Sequence, residues 1–343
     1  MDTDIALILL QDGIVNGAVY ALLALALVLV FVVTRVILIP VGEFVAFGAL
    51  TNAALNAGRV PGSLWLLGGL GILASLAGLV ADRHTLTART VGRLLLETLI
   101  LPAAIIGAAL LIVPTKPGVF TAALLSLAIV TPMAPYLYRL AFQPLAEASV
   151  LVLLIAAVGV HWALTGLGLV FFGPEGFRGD PLSEARLVWG GQSLSGQALA
   201  IVVVAGILMA GLSLFFGRTL RGKALRAVAV NRLGARLVGI SVAGAGRTAF
   251  WLAGGIAALS GVLISPLTTV YYDSSFLVGL KGFVAAIIGG LASYPVAVLA
   301  ALVVGCVESV SSFYASAYKE VFVFTVIIPV LLWRSLSAGE TEE

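Results

Sequence analysis

The stretch that orients the whole chain reads RTLRGKALRAVAVNRLGARLVGISVAGAGR and runs from residue 218 to residue 247. It holds seven of the chain's 19 Lys and Arg residues and no Asp or Glu. Long apolar runs precede and follow it, so this segment is a loop between membrane spans. Short loops on the cytoplasmic side of a membrane collect Lys and Arg. We therefore place this loop in the cytoplasm and orient the other spans from it.

The sequence on either side of this loop has the composition of an integral membrane protein. Of 343 residues, 61% are hydrophobic and only 10% are charged, whereas a soluble domain carries about 25% charged residues. The apolar runs are continuous and about 18–25 residues long, which is the length of a helix that crosses a bilayer. A β-barrel would show short alternating segments instead. The single cysteine, Cys306, lies in an apolar run, so the sequence indicates no disulfide framework.

These runs predict an all-α integral membrane protein, a polytopic bundle of about ten transmembrane helices in one membrane domain. The polar connection 173–196 is placed outside the membrane on the extracytoplasmic side, and the polar tail 335–343 follows the last span. We expect the span 94–113 to be broken by Pro102. The predicted spans are 11–33, 44–55, 63–80, 94–113, 119–138, 149–172, 197–217, 248–267, 296–312 and 321–333.

One further element is predicted to be a broken helix. The apolar run 276–313 is too long for a single span, and the segment GGLASYP at 289–295 interrupts it. We expect a half-helix from about Lys281 to Ile288, then a Gly/Pro break, then a full span. Broken helices persist in lipid only where protein or a water-filled cavity satisfies the freed backbone groups. In transporters such breaks indicate the substrate path.

Four polar side chains lie within or beside the apolar runs. A carboxylate in hydrocarbon is costly and indicates a functional site, and Glu308 is expected to face the bundle or a cavity. Glu43 lies near the predicted inner surface, so a purely interfacial position stays equally open. Lys281 opens the predicted half-helix, where its side chain can snorkel outward. His161 is mid-span, without partners at metal-ligand spacing, and is interpreted as a packed histidine.

The basic loop itself predicts a short amphipathic helix. Val230, Leu233, Leu237 and Ile240 recur at three- to four-residue spacing and give one apolar face. Such a helix can lie on anionic headgroups or dock its apolar face into a groove of a cytoplasmic partner. The residue pattern alone leaves both interpretations open.

Four blocks of the sequence resemble the H-type permease subunits of branched-chain amino acid ABC importers. The first block lies in the first predicted span and the second is Gly42-Glu43, while the third is the loop segment from Arg226 to Ile240. The first block contains Gly13, Gly17, Tyr20-Ala21-Leu22 and Ala24. The C-terminal block contains Gly279, Lys281, Phe283, Gly289-Gly290, Ser293, Pro295, Gly305, Glu308, Ser311-Ser312 and Tyr318-Lys319.

This resemblance implies two groups of functional residues. The loop 218–247 would be the coupling loop that contacts an ATPase, and the Gly42-Glu43 region with the broken helix would line the translocation path. The implied coupling residues are Arg226, Ala227, Asn231, Arg232, Ala235, Arg236, Gly239 and Ile240. The implied path residues are Gly42, Glu43, Lys281, Gly289, Gly290, Ser293, Pro295 and Glu308.

The resemblance also implies a multi-pass permease of the bacterial inner membrane that carries branched-chain or related amino acids. Its partners would be a second permease subunit, identical or different, two cytoplasmic ATPase subunits and an extracytoplasmic solute-binding protein. The sequence contains no Walker motif, so we expect the partner subunits to bind and hydrolyse ATP. No catalytic residue, metal, cofactor or nucleic-acid contact is expected of this chain. A membrane-embedded enzyme is disfavoured because the sequence offers no clustered catalytic constellation.

The chain departs from this family at several positions. The family usually carries a His before the Gly-Glu pair, where this chain has Val41, and an acidic pair where it has Val230 and Asn231. The segment 63–113 is additional and would supply about two extra spans. The alternative function is an ATP-independent secondary carrier or channel for small polar solutes. Its intramembrane carboxylates would be Glu43, Glu97 and Glu308.

Overall fold

The computed structural model describes residues 3–81, 87–189 and 192–332. Almost all of these residues are helical or in short connections between helices. The α-helices are α1 Thr3–Thr34, α2 Val41–Asn56, α3 Ser63–Ala81, α4 Ala88–Leu95, α5 Leu101–Ile112, α6 Val119–Val130, α7 Met133–Leu137, α8 Val150–Phe172, α9 Gly196–Arg218, α10 Leu220–Val230, α11 Arg232–Leu237, α12 Val242–Ile264, α13 Ser275–Ile288, α14 Tyr294–Ala315 and α15 Lys319–Thr325.

Eight helical stretches of the described residues are long and apolar enough to cross a membrane, which confirms the predicted all-α polytopic architecture. The predicted count is about ten because it also includes the short α2 and counts α14 and α15, which both belong to the last stretch Tyr294–Leu332, as two spans. The eight stretches are Asp4–Thr34, Ser63–Ala81, Ala88–Thr115, Val119–Phe142, Val150–Phe172, Gly196–Arg218, Val242–Ile264 and Tyr294–Leu332.

The central helix of the bundle is α1, whose residues 18–30 are all buried. It packs against α12, α13 and α14. Its contact with α14 depends on glycine, because a Cβ on Gly305 would stand 2.3 Å from the carbonyl oxygen of Gly13 and 2.4 Å from the nitrogen of Gly17. Small residues of this kind let two helix backbones approach closely in a membrane. This contact joins the first and the last long helices of the described residues.

Two short helices lie inside the bundle. With 16 residues in α2 and 14 in α13, their lengths are about 24 Å and 21 Å, less than the roughly 30 Å of hydrocarbon. They touch at glycines: a Cβ on Gly42 would lie 2.7 Å from the carbonyl oxygen of Ser275, and one on Gly279 would lie 3.1 Å from the Cα of Gly42. The N-terminal turns of two half-helices therefore meet within the protein.

The broken helix was predicted in the right place but with the wrong start. The half-helix begins at Ser275 rather than near Lys281, so Lys281 lies at its middle. The break follows Ile288, where Gly290 and Leu291 have positive φ angles of 69° and 55°. The N–H of Leu291 donates to the carbonyl of Ala286 at 2.8 Å. This bond satisfies a carbonyl at the helix end, as in a Schellman motif.

Pro102 does not break its span, contrary to the prediction. The helical stretch Ala88–Thr115 is continuous, and a π-helical turn at Leu96–Ile100 connects α4 to α5 directly before the proline. A proline inside a helix removes one N–H donor and crowds the carbonyl four residues earlier. A π turn supplies the local widening that relieves this crowding, so the span survives.

Two connections between helices have structure of their own. Within the polar connection, β1 Arg186–Trp189 and β2 Gln192–Ser195 form an antiparallel hairpin, with Arg186 opposite Ser195. This hairpin was not predicted, because four-residue strands are too short to establish an alternating pattern. After α14, a 3₁₀ turn at Ser316–Tyr318 reverses the chain into α15. The tail 335–343 lies outside the described residues, and the division into one domain with a coupling loop stays a prediction.

Candidate functional site

The first candidate cluster is the pair of Glu43 and His161. Glu43 lies in the first turn of α2, and His161 lies at the midpoint of α8. Nδ1 of His161 is 2.6 Å from Oε1 of Glu43, and the two side chains are only 8% and 2% exposed. Glu43 is thus packed inside the helix bundle against the middle of the candidate span α8. This burial disfavours the purely interfacial position that the sequence left open.

His161 is packed as predicted, yet it has a charged partner that the sequence did not reveal. Its ring also stacks on Phe276 of α13, with 4.3 Å between ring centroids. The second carboxylate oxygen of Glu43, Oε2, is buried and has no hydrogen-bond partner among the described residues. A buried polar atom of this kind is uncommon and calls for a ligand, an ion or water. The pair thus presents one free acceptor at the junction of α2 and α13.

The second cluster centres on Lys281 of α13. Nζ of Lys281 donates to Oε1 of Glu308 on α14 at 2.5 Å and to Oε1 of Glu320 on α15 at 3.1 Å. The hydroxyl of Tyr20 on α1 donates to Oε2 of Glu308. The side chains of Lys281 and Glu308 are 6% and 10% exposed, so Lys281 does not snorkel outward. One lysine thereby connects four helices.

The remaining predicted path residues lie apart from both carboxylate clusters. Gly289, Gly290 and Ser293 belong to the break between α13 and α14, and Pro295 lies in the first turn of α14. Gly289 is two helical turns, about 12 Å, beyond Lys281. A Cβ on Gly289 would lie 2.9 Å from the nitrogen of Ala297, so this glycine permits a close turn. Their role in the path stays a prediction.

The described residues contain no group of three or more His, Cys, Asp or Glu side chains placed to hold a metal ion. In each candidate cluster, ion pairs connect residues of separate helices. Such a cluster can bind a charged group, and it can also connect the movements of the helices that carry its residues.

The basic loop folds into two short helices, so the prediction of one continuous amphipathic helix is wrong. Asn231 interrupts it with an extended backbone (φ −150°, ψ 103°), and its side-chain oxygen accepts the N–H of Gly234 at 2.9 Å. Asparagine is a preferred N-cap because this hydrogen bond satisfies a free donor of the first turn. Gly239, at φ 82°, follows the end of α11. Both helices are held by caps that the apolar spacing alone does not reveal.

The predicted apolar residues of the loop are mostly exposed. We call the side chains of Val230, Leu233, Leu237 and Val238 the apolar patch; they are 89%, 68%, 80% and 76% exposed. Ala235, in contrast, lies on the buried side of α11 and belongs to a cluster with Leu29 and Val33 of α1. Isolated exposed hydrophobics are ordinary, but four of them between residues 230 and 238 of a basic loop indicate an interaction surface.

The predicted coupling residues do not share one surface. Arg232 points inward, where its Nη2 donates to the carbonyl of Val33 at 2.9 Å, and burial lowers the pKa of its guanidinium. Arg236 is exposed and pairs with Glu147 of the connection between α7 and α8, and this hydrogen bond lowers the pKa of Glu147. The exposed remainder is Arg226, Asn231 and Gly239, with Ala227 and Ile240 half-buried.

The sequence was compared with known proteins. It is 37% identical over 100 residues to the high-affinity branched-chain amino acid transport system permease protein LivH of Escherichia coli K12, and equally to LivH of Salmonella typhimurium. This match covers 29% of the chain and 32% of either relative. BraD of Pseudomonas aeruginosa, a permease protein of the same description, is 36% identical over 87 residues, or 25% of the chain and 28% of BraD.

These matches span about a third of the length of the curated relatives. No solved structure matches the sequence. The family described as branched-chain amino acid transport system / permease component matches residues 115–331. This match begins directly after the segment predicted to be additional, 63–113, and it covers more than half of the chain. The chain therefore belongs to the permease family of branched-chain amino acid transport systems.

Proposed function

We propose that this chain is the permease subunit of an ATP-driven importer in the bacterial inner membrane. It would form the translocation path for branched-chain or related amino acids. Family membership supports a permease, and the relatives' names supply the substrate class. The partners would be a second permease subunit, identical or different, two ATPase subunits that bind ATP, and an extracytoplasmic solute-binding protein. The chain itself would not be an enzyme.

The observation that most directly supports an amino acid substrate is the unpartnered carboxylate oxygen of Glu43. An amino acid presents an ammonium group and a carboxylate together. Oε2 of Glu43 is a buried acceptor without a partner among the described residues, which suits the ammonium group. The N-terminal turns of α2 and α13 meet beside it at Gly42, and a helix N-terminus attracts a carboxylate. Both substrate charges would thus find a complement.

The apolar patch supports coupling to an ATPase. Its four side chains lie on α10, on α11 and directly after α11, which pack onto α1 and α12 through Leu225, Val228 and Ala235. A partner that moves the patch would therefore move the two helices at the centre of the bundle. A helix that lies only on headgroups would need no such connection to the core.

The energy source can be tested in cells that express the chain with its ATPase subunits and binding protein. We expect uptake of radiolabelled leucine to continue when a protonophore collapses the proton gradient while ATP is kept high, and to stop when ATP is depleted. The reverse result, uptake lost with the gradient and kept without ATP, would support the secondary carrier. In that carrier the Glu43–His161 pair would move the proton.

The docking surface can be tested with Leu237→Glu, which places a charge in the apolar patch. We expect this variant to enter the membrane and to lose co-purification of the ATPase subunits. Leu220→Glu is the matched control, because Leu220 is also highly exposed, at 84%, but lies at the other end of α10. Ala235→Glu is unsuitable because its site is buried. Normal ATPase co-purification with Leu237→Glu would refute the docking role.

A further inference from the structure

A cleft opens between α10 of the basic loop and the neighbouring ends of α4, α7 and α12. Its volume is about 650 Å³, which is the size of a small-molecule site. Among the described residues its lining includes four arginines, one from each of these regions, and a single carboxylate, Glu97. We call it the basic cleft. The four arginines are Arg93, Arg139, Arg221 and Arg247.

The charges of the basic cleft do not cancel. Nε of Arg93 is 2.9 Å from Oε1 of Glu97, and Nη1 of Arg247 is 3.6 Å from Oε2 of the same residue. One carboxylate is thus shared by two guanidinium groups, and Arg221 adds a further positive charge, so Arg93, Arg221, Arg247 and Glu97 together keep a formal charge of +2. Guanidinium groups bind phosphate oxygens through paired N–H donors. The cleft is complementary to a phosphate-bearing anion.

The basic cleft continues into the membrane as an apolar groove. This second cavity, of about 360 Å³, lies between α6, α9 and α12 and shares Phe215, Trp251 and Leu252 with the cleft. Its lining is otherwise almost wholly apolar, with Thr131 the exception. All three helices belong to spans, so the groove lies at the depth of the lipid chains. Trp251, at the junction, is an aromatic residue typical of the membrane–water interface.

We propose that the basic cleft and the apolar groove together bind one anionic phospholipid of the cytoplasmic leaflet. The headgroup phosphate lies among the four arginines, and an acyl chain lies along α9 against Leu208, Leu212 and Leu259. A soluble anion would use the cleft but not the groove. A docked protein segment would not reach between three spans. Continuity of a cationic and an apolar cavity is what a phospholipid requires.

The proposal can be tested by titrating the detergent-purified chain with phosphatidylglycerol or phosphatidylcholine of identical acyl chains and measuring binding by native mass spectrometry. The double variant Arg221→Gln/Arg247→Gln should bind phosphatidylglycerol about 25-fold more weakly, since each basic residue contributes about fivefold. The matched control is Lys223→Gln/Arg226→Gln, whose residues share α10 but do not line the cleft. Equal binding of both lipids, or equal loss in both double variants, would overturn the proposal.

A second variant tests the groove without changing charge. Gly211 lines the groove, and a Cβ there would meet no described atom within 4 Å, so Gly211→Phe should fill the groove without disturbing the helix. We expect it to weaken phosphatidylglycerol binding and to leave binding of glycerol phosphate unchanged. Gly206→Phe, at an equally open position of α9 outside the groove, is the control. Unchanged lipid binding in Gly211→Phe would show that the cleft holds only a free anion.

Discussion

Lys281 is the buried cation on which four helices converge, and its replacement would show how far these helices depend on charge. Lys281→Met leaves the carboxylates of Glu308 and Glu320 facing each other without a counter-ion. Removing one partner of a buried ion pair costs about 3–5 kcal/mol, because the other charge stays buried. We expect the free energy of unfolding to fall by about this amount, measured by thermal unfolding in detergent.

Two further variants separate charge from packing at this site. Lys281→Met/Glu308→Gln removes both charges of the closest pair and should recover most of the lost stability. Lys223→Met, on an exposed residue of α10, should leave the unfolding temperature unchanged. If Lys281→Met unfolds at the temperature of the unchanged protein, the cluster does not hold the helices together.

Glu43 is the residue whose charge matters most to the proposed substrate site. Glu43→Gln keeps the size of the side chain and can still hydrogen-bond His161, but it removes the negative charge from Oε2. A hydrogen bond to a charged group contributes about 1.5–3 kcal/mol, so we expect transport to fall about 10- to 100-fold. Radiolabelled uptake, normalised to the amount of protein in the membrane, measures this loss.

The matched control for Glu43→Gln is Glu147→Gln, on an exposed carboxylate that pairs with Arg236 of the basic loop. This variant should transport normally, since Glu147 lies far from the proposed path. Near-normal uptake in Glu43→Gln would remove Glu43 from the substrate site and leave the pair with His161 as a structural contact.

The sequence identified three of these buried charges but not how they pair. Glu43, Lys281 and Glu308 were selected because charged groups are costly in hydrocarbon. His161 was missed as a partner because 118 residues separate it from Glu43. Its position opposite Glu43 follows from the packing of α2 against α8, which hydropathy does not report. This chain has Val41 where the family usually carries a His. That substitution was the one indication in the sequence that another residue could supply an imidazole near Glu43.

At the scale of elements, the contact between α1 and α14 depends on Gly305. Gly305→Val would place two methyl groups against the backbone of Gly13 and Gly17, where even a Cβ has no room. Overpacking of this kind costs about 1–3 kcal/mol, so the unfolding temperature should fall. Gly159→Val is the matched control, because a Cβ at Gly159 on α8 meets no described atom within 4 Å. Equal stability of the two variants would contradict the close packing.

The sequence predicted the long spans correctly but not the two elements whose shape depends on a few local hydrogen bonds, the basic loop and the span at Pro102. Apolar length correctly located the long spans, because crossing hydrocarbon is a requirement of length and composition alone. The basic loop is divided by the cap at Asn231, and the span at Pro102 is kept whole by a π turn. Caps and π turns depend on one or two hydrogen bonds, which a hydrophobic pattern does not encode.

At the scale of the whole molecule, the orientation rests on the positive charge of the loop 218–247. It can be tested with single cysteines in a Cys306→Ala background, labelled in spheroplasts with a membrane-impermeant maleimide. Cysteine at Glu184, in the connection that carries the hairpin, should react from outside. Cysteine at Leu233, in the apolar patch, should react only after the membrane is permeabilised. The opposite labelling pattern would show that the chain has the reverse orientation in the membrane.

The close contact of α1 with α14 also has a consequence in time. Tyr20 and Glu308, which meet through a hydrogen bond, are 288 residues apart in the chain. At a synthesis rate of about 5–20 residues per second, α1 waits roughly 15 to 60 seconds in the bilayer before α14 leaves the ribosome. During this interval its glycine face contacts lipid or an insertion chaperone. The contact of α14 with α1 is therefore expected to be among the last to form in the biogenesis of this permease.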